Sequence, residues 1–248
     1  LDFEQEAISM QNIKANLIEE DLFEVPKIHP EFSTKRVLTT TFYDGVKISD
    51  TEQIKAWGLD GRTIANRLVK AYCKMIFEDG FYHADPHPGN ILLTSDGKIG
   101  LLDFGMVGRI SEQLREDIES MLVAIVGQDV SMLTALIKRV GRCPLDLNEG
   151  ALANDVADFV GQYSTQNIAH FDMSGALNDF IAVVRSYRIT LPTEASMLIK
   201  TLVTLEGTGR MLNPDFSLME VMKPFQRMLV LKRLSPARQM RWICWCPP

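Results

Sequence analysis

Two polar motifs on either side of one predicted β-hairpin constrain this chain more than any other feature. The first is FYHADPHPGNILL, residues 81 to 93, and the second is LLDFGM, residues 101 to 106. Between them, the turn sequence Ser95-Asp96-Gly97 separates two short apolar runs, which is the pattern of a hairpin. A hairpin places the loop before its first strand beside the residue that ends its second strand. The polar groups of the two motifs are therefore expected to converge on one cleft.

Asp85, Asn90 and Asp103 are the chemically informative residues of these motifs. Asn90 follows Asp85 by five residues, and Asp103 follows thirteen residues later, directly before Phe104 and Gly105. Protein kinases have the same order of a His-x-Asp loop, an Asn and an Asp-Phe-Gly motif. Phosphoryl transfer from ATP needs a carboxylate near the acceptor oxygen and hard oxygen ligands for Mg²⁺. The spacing therefore predicts Asp85 as the catalytic carboxylate and Asn90 and Asp103 as ligands of Mg²⁺ bound with ATP.

Simpler interpretations exist for the first motif taken alone. His83 and His87 could be zinc ligands, but Pro86 and Pro88 prevent the regular helix that would align them. Asp, Pro, Gly and Asn also collect in ordinary polar turns. Because the second motif follows the first in the order found in protein kinases, the two motifs together favour a phosphotransferase site. In that site His83 is expected to support the loop, whereas His87 either faces the acceptor or is simply an exposed histidine.

The remaining pattern predicts an α+β fold that is mostly α. A helix is expected near residues 3–18, a strand at 36–41 with a connector to Gly45, and a helix from Asp60 to Asp79-Gly80. The connector is where a kinase hinge would lie, so Thr41 and Phe42 are expected to contact adenine through their backbone. Helical patterns follow near residues 111–126, 129–140, 148–163, 174–187, 193–210 and 217–233.

Several kinase elements are absent from the sequence. There is no Gly-rich phosphate loop and no Val-Ala-Ile-Lys strand, and Gly207-Thr208-Gly209 is interpreted as a helix terminus. We therefore expect that the chain is a fragment or a processed product, with the nucleotide-covering lobe upstream of Leu1. Helical pattern resumes at Ser111, which leaves no room for a long activation segment. This favours a small-molecule acceptor, or ATP hydrolysis, over a peptide substrate.

Composition excludes some partners and suggests another. The chain has 248 residues, 46% apolar, enough for one large or two small domains, and its net charge of −6 argues against nucleic acid. Its four cysteines lack paired metal spacing, which predicts reduced thiols in an intracellular protein without a signal peptide. No apolar run approaches the length of a membrane span.

Residues 221–248 carry six cations and no acid, a net charge of +6. Because the whole chain has a net charge of −6, residues 1–220 have a net charge of −12. This basic segment has an apolar stripe and ends with Trp242 and Trp245, which favours attachment to an anionic membrane surface. The alternative is that the stripe packs on the helical bundle.

The chain resembles the UbiB/AarF/ADCK family of atypical kinases over nearly its full length. The resemblance is carried by LDFEQEA, VLTTTFYDGV, FYHADPHPGNILL, IGLLDFGMVGRI and KTLVTLEGTGRMLNPDF. It implies a protein-kinase-like fold with an extended helical C-lobe, in which Asp85, Asn90 and Asp103 hold the catalytic and magnesium positions. Asp2 matches the aspartate of the family's Glu-x-Asp motif. The family's Lys-x-Gly-Gln motif, Ala-rich loop and ATP-pairing lysine are expected upstream.

The resemblance also implies a function and a division of the chain. It indicates an ATPase or kinase that supports biosynthesis of ubiquinone or another isoprenoid quinone at a bacterial inner membrane, mitochondrion or plastid. Its partners would be nucleotide, an isoprenoid lipid or quinone precursor, and a biosynthetic complex or a second copy. The expected parts are an N-lobe remnant and hinge (1–45), a helical C-lobe (46–220) and the basic segment (221–248). Two alternatives stay open: an aminoglycoside- or choline-kinase-like phosphotransferase, and a lipid-binding pseudokinase scaffold.

Overall fold

The fold was analysed in a computed structural model, which describes residues 2–17, 20, 22–164 and 171–222, except for the side chain of residue 126. Within these residues, the helices are α1 Phe3–Asn16, α2 Thr51–Ala56, α3 Gly61–Lys74, α4 Glu112–Val126, α5 Val130–Val140, α6 Glu149–Ser164, α7 Met173–Ser186 and α8 Thr193–Leu212. The strands are β1 Phe23–Glu24, β2 Val46–Lys47, β3 Phe81–His83, β4 Ile91–Leu93, β5 Ile99–Leu101 and β6 Val107–Arg109. The predicted α+β class with predominant helix is confirmed.

Helix ends are set by local side chains, as the sequence predicted. The Asp60 carboxylate accepts a hydrogen bond from the Thr63 amide at 3.0 Å and begins α3. A π-helical turn, Met75–Asp79, continues α3 and ends at Gly80, whose φ of +66° favours glycine. The Ser111 hydroxyl accepts from the Leu114 amide at 3.2 Å and begins α4. Both caps lie where the helices were expected to start.

The strands form two small sheets. The predicted hairpin is present as the antiparallel pair β4–β5, and it forms the centre of a sheet ordered β1-β5-β4-β2. A second sheet pairs β3 with β6, so the strand that begins the first polar motif and the strand that follows the second are hydrogen-bonded neighbours. Their approach is close: a Cβ on Gly108 would overlap the buried Tyr82 ring. The two sheets hold both ends of the hairpin segment in place.

The predicted strand at residues 36–41 is wrong. This segment makes only isolated bridges, Ile28 to Thr40 and Thr34 to Val37. The physical reason lies in the segment it faces, which is bounded by Pro26 and Pro30. Proline has no amide proton to donate, so a ladder cannot extend past either end.

The second half of the chain is the expected helical bundle. Helices α4 to α8 match five of the predicted segments, and residues 218–222 are helical. Gly207 to Gly209 lie within the last two turns of α8 rather than at its end. Short α2 and the pairs formed by β1, β2, β3 and β6 were not predicted, because segments of two to six residues carry too little periodicity.

The described residues contain no candidate membrane span, and their cysteines are free thiols. No helix within the described ranges has both the length and the apolar composition needed to cross a bilayer. Cys73 and Cys143 are free thiols, as expected, whereas Cys244 and Cys246 lie outside the described residues. Most of the basic segment, residues 223–248, also lies outside them, so its membrane attachment stays a prediction.

Candidate active site

Asp85 and Asn90 lie together in the loop between β3 and β4. The Asn90 side-chain amide donates to the Asp85 carboxylate at 3.0 Å and to the Asp85 carbonyl at 3.3 Å. A turn of 3-10 helix, Pro88–Asn90, presents the asparagine just before β4 begins. Because the amide nitrogen is committed to Asp85, the side-chain oxygen of Asn90 stays available as an acceptor.

Asp103 follows β5 and is tied to the same loop. The Leu102 amide donates to the Asn90 carbonyl at 2.8 Å, which joins the two motifs next to their functional residues. Asp103 itself has a φ of +56°, a left-handed conformation that few residues other than glycine adopt. The Gly105 amide donates to its carboxylate at 3.2 Å. The predicted convergence of the two motifs across one hairpin is therefore present.

The buried His83 side chain links the loop between β3 and β4 to the residues that follow β5. Its Nε2 lies 2.8 Å from the Asp103 carbonyl and 3.0 Å from the Leu102 carbonyl, and both oxygens can only accept. The proton therefore resides on Nε2, and Nδ1 accepts from the Tyr72 hydroxyl at 3.2 Å. Burial, the larger effect, lowers the pKa of His83, although the two carbonyl contacts partly oppose it. His83 is a neutral support of the loop, and its committed nitrogens leave no site for zinc.

His87 lies on the surface of the loop. Its Nδ1 accepts from the Gly89 amide at 3.1 Å, a local turn contact. The ring is exposed, which is compatible with both sequence interpretations of this residue.

Helix α8 contacts the loop between β3 and β4 from the other side, which sequence reasoning missed. The buried Thr201 hydroxyl lies 3.0 Å from the Ala84 carbonyl, and the buried Thr208 hydroxyl lies 3.0 Å from the Pro86 carbonyl. These carbonyls flank Asp85 on both sides. The signal was present in the sequence: two threonines seven residues apart, two helical turns, lie on one face of an amphipathic helix.

Two charged residues near the site were also missed. The Lys200 ammonium lies 3.7 Å from the Asp85 carboxylate. The Glu6 carboxylate on α1 accepts from the Phe104 amide at 3.2 Å. Partial burial, the largest cause, and the charge of Asp103 raise the pKa of Glu6, and the hydrogen bond from Phe104 opposes them. Lysine and glutamate are common on helix surfaces, so only the fold distinguishes these two.

The three other residues that were predicted to contact nucleotide make local contacts or are exposed. Asp2 caps α1 by accepting from the Glu4 amide at 3.1 Å, one helical turn before Glu6. The Thr41 hydroxyl contacts His29 Nε2 at 3.2 Å, and the Phe42 side chain is 87% exposed. The roles of Asp2, Thr41 and Phe42 in binding a nucleotide stay predictions.

The donor set at Asn90 and Asp103 fits magnesium. It consists of an amide oxygen and a carboxylate, which are hard ligands, on two segments that are joined by the Leu102–Asn90 backbone hydrogen bond. Magnesium is usually held by one or two carboxylates with waters and substrate phosphates, so two protein ligands are enough. The described residues contain no group of three or more His, Cys, Asp or Glu side chains placed to hold a metal, and a magnesium site at Asn90 and Asp103 stays a prediction.

This geometry is accompanied by a family match that covers more than half of the chain. Residues 1–137 match the ABC1 atypical kinase-like domain, and residues 156–217 match the UbiB helical domain. The chain belongs to the ABC1 atypical kinase-like family. The loop between β3 and β4 therefore lies in the segment that matches the ABC1 domain, and α8, which contacts it, lies in the segment that matches the UbiB helical domain.

Curated relatives extend over nearly the whole chain. It is 28% identical over 243 residues to the Protein ACTIVITY OF BC1 COMPLEX KINASE 1, chloroplastic, of Arabidopsis thaliana, covering 98% of this chain and 36% of that protein. It is 29% identical over 236 residues to the uncharacterized protein slr1919 of Synechocystis sp., covering 95% of this chain and 42% of that protein. The chain thus spans less than half the length of these two relatives.

A solved structure shares the fold. The complex structure of Rv3197-erythromycin from Mycobacterium tuberculosis matches with a TM-score of 0.57 and 16% identity, over 90% of this chain and 57% of that chain. At this identity the likeness concerns the fold alone. The predicted kinase-like fold and the family resemblance are both confirmed.

Proposed function

We propose that this chain forms the catalytic part of an ATP-dependent phosphotransferase or ATPase that uses Mg²⁺. The observation that carries the proposal is the 3.0 Å hydrogen bond between Asn90 and the Asp85 carboxylate, in a loop bonded to Leu102 next to Asp103. Membership in an atypical kinase-like family supports this reading over an unrelated phosphotransferase.

The three residues divide the chemistry between them. The Asp85 carboxylate accepts the proton of the attacking hydroxyl or water, and the Asn90 amide orients it by donating to one of its oxygens. Asp103 and the Asn90 oxygen would hold magnesium, which neutralises charge on the phosphates when it is bound. His83 donates to the Asp103 carbonyl and helps to hold the Asp103 backbone in its left-handed conformation. The backbone in turn sets the direction of the carboxylate that would bind the metal.

The proposed acceptor is a small molecule or water. Strand β6 begins at Val107, two residues after Gly105, and α4 begins at Glu112. This short connection pairs immediately with β3, so the chain has little extended segment there on which a peptide could align.

We further propose that the protein supports biosynthesis of an isoprenoid quinone, or of its lipid precursor, at a membrane. The support is the resemblance to the UbiB type, the match to a UbiB helical domain, and a relative whose name places it in the chloroplast. The basic residues of segment 221–248 would add attraction of about 1 kcal/mol each at an anionic surface. A complex with other biosynthetic proteins, or a homodimer, belongs to the same proposal.

Turnover of ATP tests the catalytic proposal. In the protein with its natural flanking sequence, Asp85→Asn is expected to abolish Mg²⁺-dependent release of ADP and to spare ATP binding. Asp158→Asn, which removes an exposed carboxylate on α6, is the matched control and should turn over at the parent rate. Nucleotide binding without turnover in the parent would favour a pseudokinase scaffold.

Vesicle co-sedimentation tests the membrane part. Protein with and without residues 235–248 is compared on anionic and neutral vesicles at low salt. The proposal expects binding to anionic vesicles that the deletion weakens. Equal partitioning of the two forms would remove this segment from the mechanism.

A further inference from the structure

We infer that Lys200 binds the phosphoryl group that is being transferred, and that it exchanges its contact with Asp85 for this group when ATP binds. The inference rests on the proposed function and adds a residue from the helical domain to the phosphate site. Its basis is the position of the Lys200 ammonium, 3.7 Å from the carboxylate that would face the reacting oxygen.

The backbone that carries Lys200 is fixed relative to Asp85. Thr201, the next residue, bonds the Ala84 carbonyl, and Thr208 bonds the Pro86 carbonyl two turns later. Both hydroxyls are buried. Each hydroxyl shares its single proton with the carbonyl one turn earlier in α8, at 2.9 Å for Met197 and 3.0 Å for Thr204. Sliding of α8 along the loop would still lose both contacts with the loop, so the helix positions Lys200 at the site.

The side chain, in contrast, is free to change partners. The Lys200 side chain is 55% exposed and that of Asp85 is 27% exposed. An ion pair with this much solvent contact contributes little free energy, because water competes for both charges. A phosphate with several charge-bearing oxygens is a stronger partner for the ammonium than one carboxylate. The observed pair is thus a resting contact that ATP can replace.

The charge of the site requires a cation at this position. Asp85, Asp103 and Glu6 bring three carboxylates to the loop and the residues after β5. Magnesium at Asn90 and Asp103 would neutralise phosphate charge next to those two residues. The Asp85 carboxylate would still repel the negative charge of an incoming phosphate. Within the described residues, Lys200 is the cation that forms an ion pair with Asp85, so it lies on the side of the site where Asp85 would repel a phosphate.

The proposed phosphoryl transfer needs no proton from Lys200. The acceptor oxygen forms a bond to the γ-phosphorus, and its proton passes to Asp85. The bond from the γ-phosphorus to the bridging oxygen breaks, and ADP leaves with that electron pair. Lys200 stabilises the charge on the three peripheral oxygens during transfer and neither gains nor loses a proton.

The test compares ATP with ADP, because only ATP carries the group that Lys200 would bind. Affinities for both nucleotides with Mg²⁺, and turnover of ATP, are measured for the parent, Lys200→Met and Lys200→Arg. Lys70→Met on α3 removes another exposed helical lysine and is the matched control. The protein is used with its natural flanking sequence, and thermal unfolding is recorded for every variant.

For Lys200→Met we expect ATP affinity about tenfold weaker, as for the loss of one hydrogen bond to a charged group. ADP affinity should be unchanged, and turnover should fall about 100-fold, as when one donor to a developing anion is removed. Lys200→Arg should recover part of the turnover, and Lys70→Met should match the parent.

Equal weakening of ATP and ADP, or unchanged turnover in Lys200→Met, would overturn the inference while leaving the proposed function intact. A loss of turnover that follows a lowered unfolding temperature, with the ATP to ADP affinity ratio preserved, would assign Lys200 a structural role and also overturn it. No nucleotide binding by the parent would overturn the proposed function, and the inference with it.

Discussion

The Thr201 hydroxyl on α8 lies 3.0 Å from the carbonyl oxygen of Ala84, the residue that precedes Asp85. Thr201 belongs to the segment that matches the UbiB helical domain, and Ala84 to the segment that matches the ABC1 kinase-like domain. The contact is buried, and Thr208 repeats it at Pro86. The helical domain therefore supports the loop that carries Asp85, and if the proposed function holds, loosening α8 should lower ATP turnover.

Thr201→Val should lower both stability and turnover. The substitution keeps the shape of the side chain but leaves the buried Ala84 carbonyl without its donor, at a cost of about 1–3 kcal/mol. Chemical denaturation and ATP turnover measure the two effects. Thr204→Val is the control, because within the described residues the Thr204 hydroxyl bonds the Lys200 carbonyl one turn earlier, the same contact within the helix that Thr201 makes to Met197 besides its contact with Ala84. If both variants behave alike, α8 does not position the loop.

Gly108→Ala should destabilise the protein by about 1–3 kcal/mol, the usual effect of overpacking a well-filled site. An added Cβ would overlap the Tyr82 ring and push β6 away from β3, the strand that carries His83. Gly161→Ala is the opposite control: a Cβ there meets nothing within 4 Å in the last turn of α6, so alanine should stabilise by up to about 1 kcal/mol. A tolerated Gly108→Ala would contradict the tight β3–β6 contact.

His83 should make stability depend on pH below neutrality. Its folded-state pKa is lowered chiefly by burial, so near and below about pH 6.5 the unfolded chain binds a proton that the folded protein resists. The contribution of neutral His83 is fully present above the unfolded pKa and is lost as pH falls towards the folded pKa.

Thermal unfolding between pH 7.5 and 5.5 checks this for the parent and for His83→Gln. The parent should lose more stability on acidification than the variant, which cannot take up this proton. Parallel pH profiles for the two proteins would show that His83 does not titrate on unfolding.

Local signals explain what the sequence could predict. The β4–β5 hairpin, the caps Asp60 and Ser111, and the convergence of Asn90 with Asp103 depend on residues close together in the chain, where turn and capping chemistry acts directly. The failed strand at 36–41 shows the limit of this approach. Its residues favour a strand, but strand formation depends on a partner, and the partner is bounded by Pro26 and Pro30.

Long-range contacts explain what the sequence could not predict. Thr201 reaches Ala84 across 117 residues, and Glu6 reaches Phe104 across 98. No periodicity links such positions, because their contact follows from how α8 and α1 pack on the loops. Lys200 is the clearest case: on the sequence it is one exposed helical lysine among several, and only its distance from Asp85 sets it apart.

The affinity for ATP with and without Mg²⁺, measured for the parent and for Asp103→Asn, tests the central claim most directly. Removing the carboxylate takes away the charged magnesium ligand and leaves the phosphates without full compensation. Mg²⁺ should strengthen ATP binding in the parent, Asp103→Asn should lose most of this gain, and Asp158→Asn should keep it. Equal Mg²⁺-dependent affinity in the parent and in Asp103→Asn would show that Asp103 does not bind magnesium.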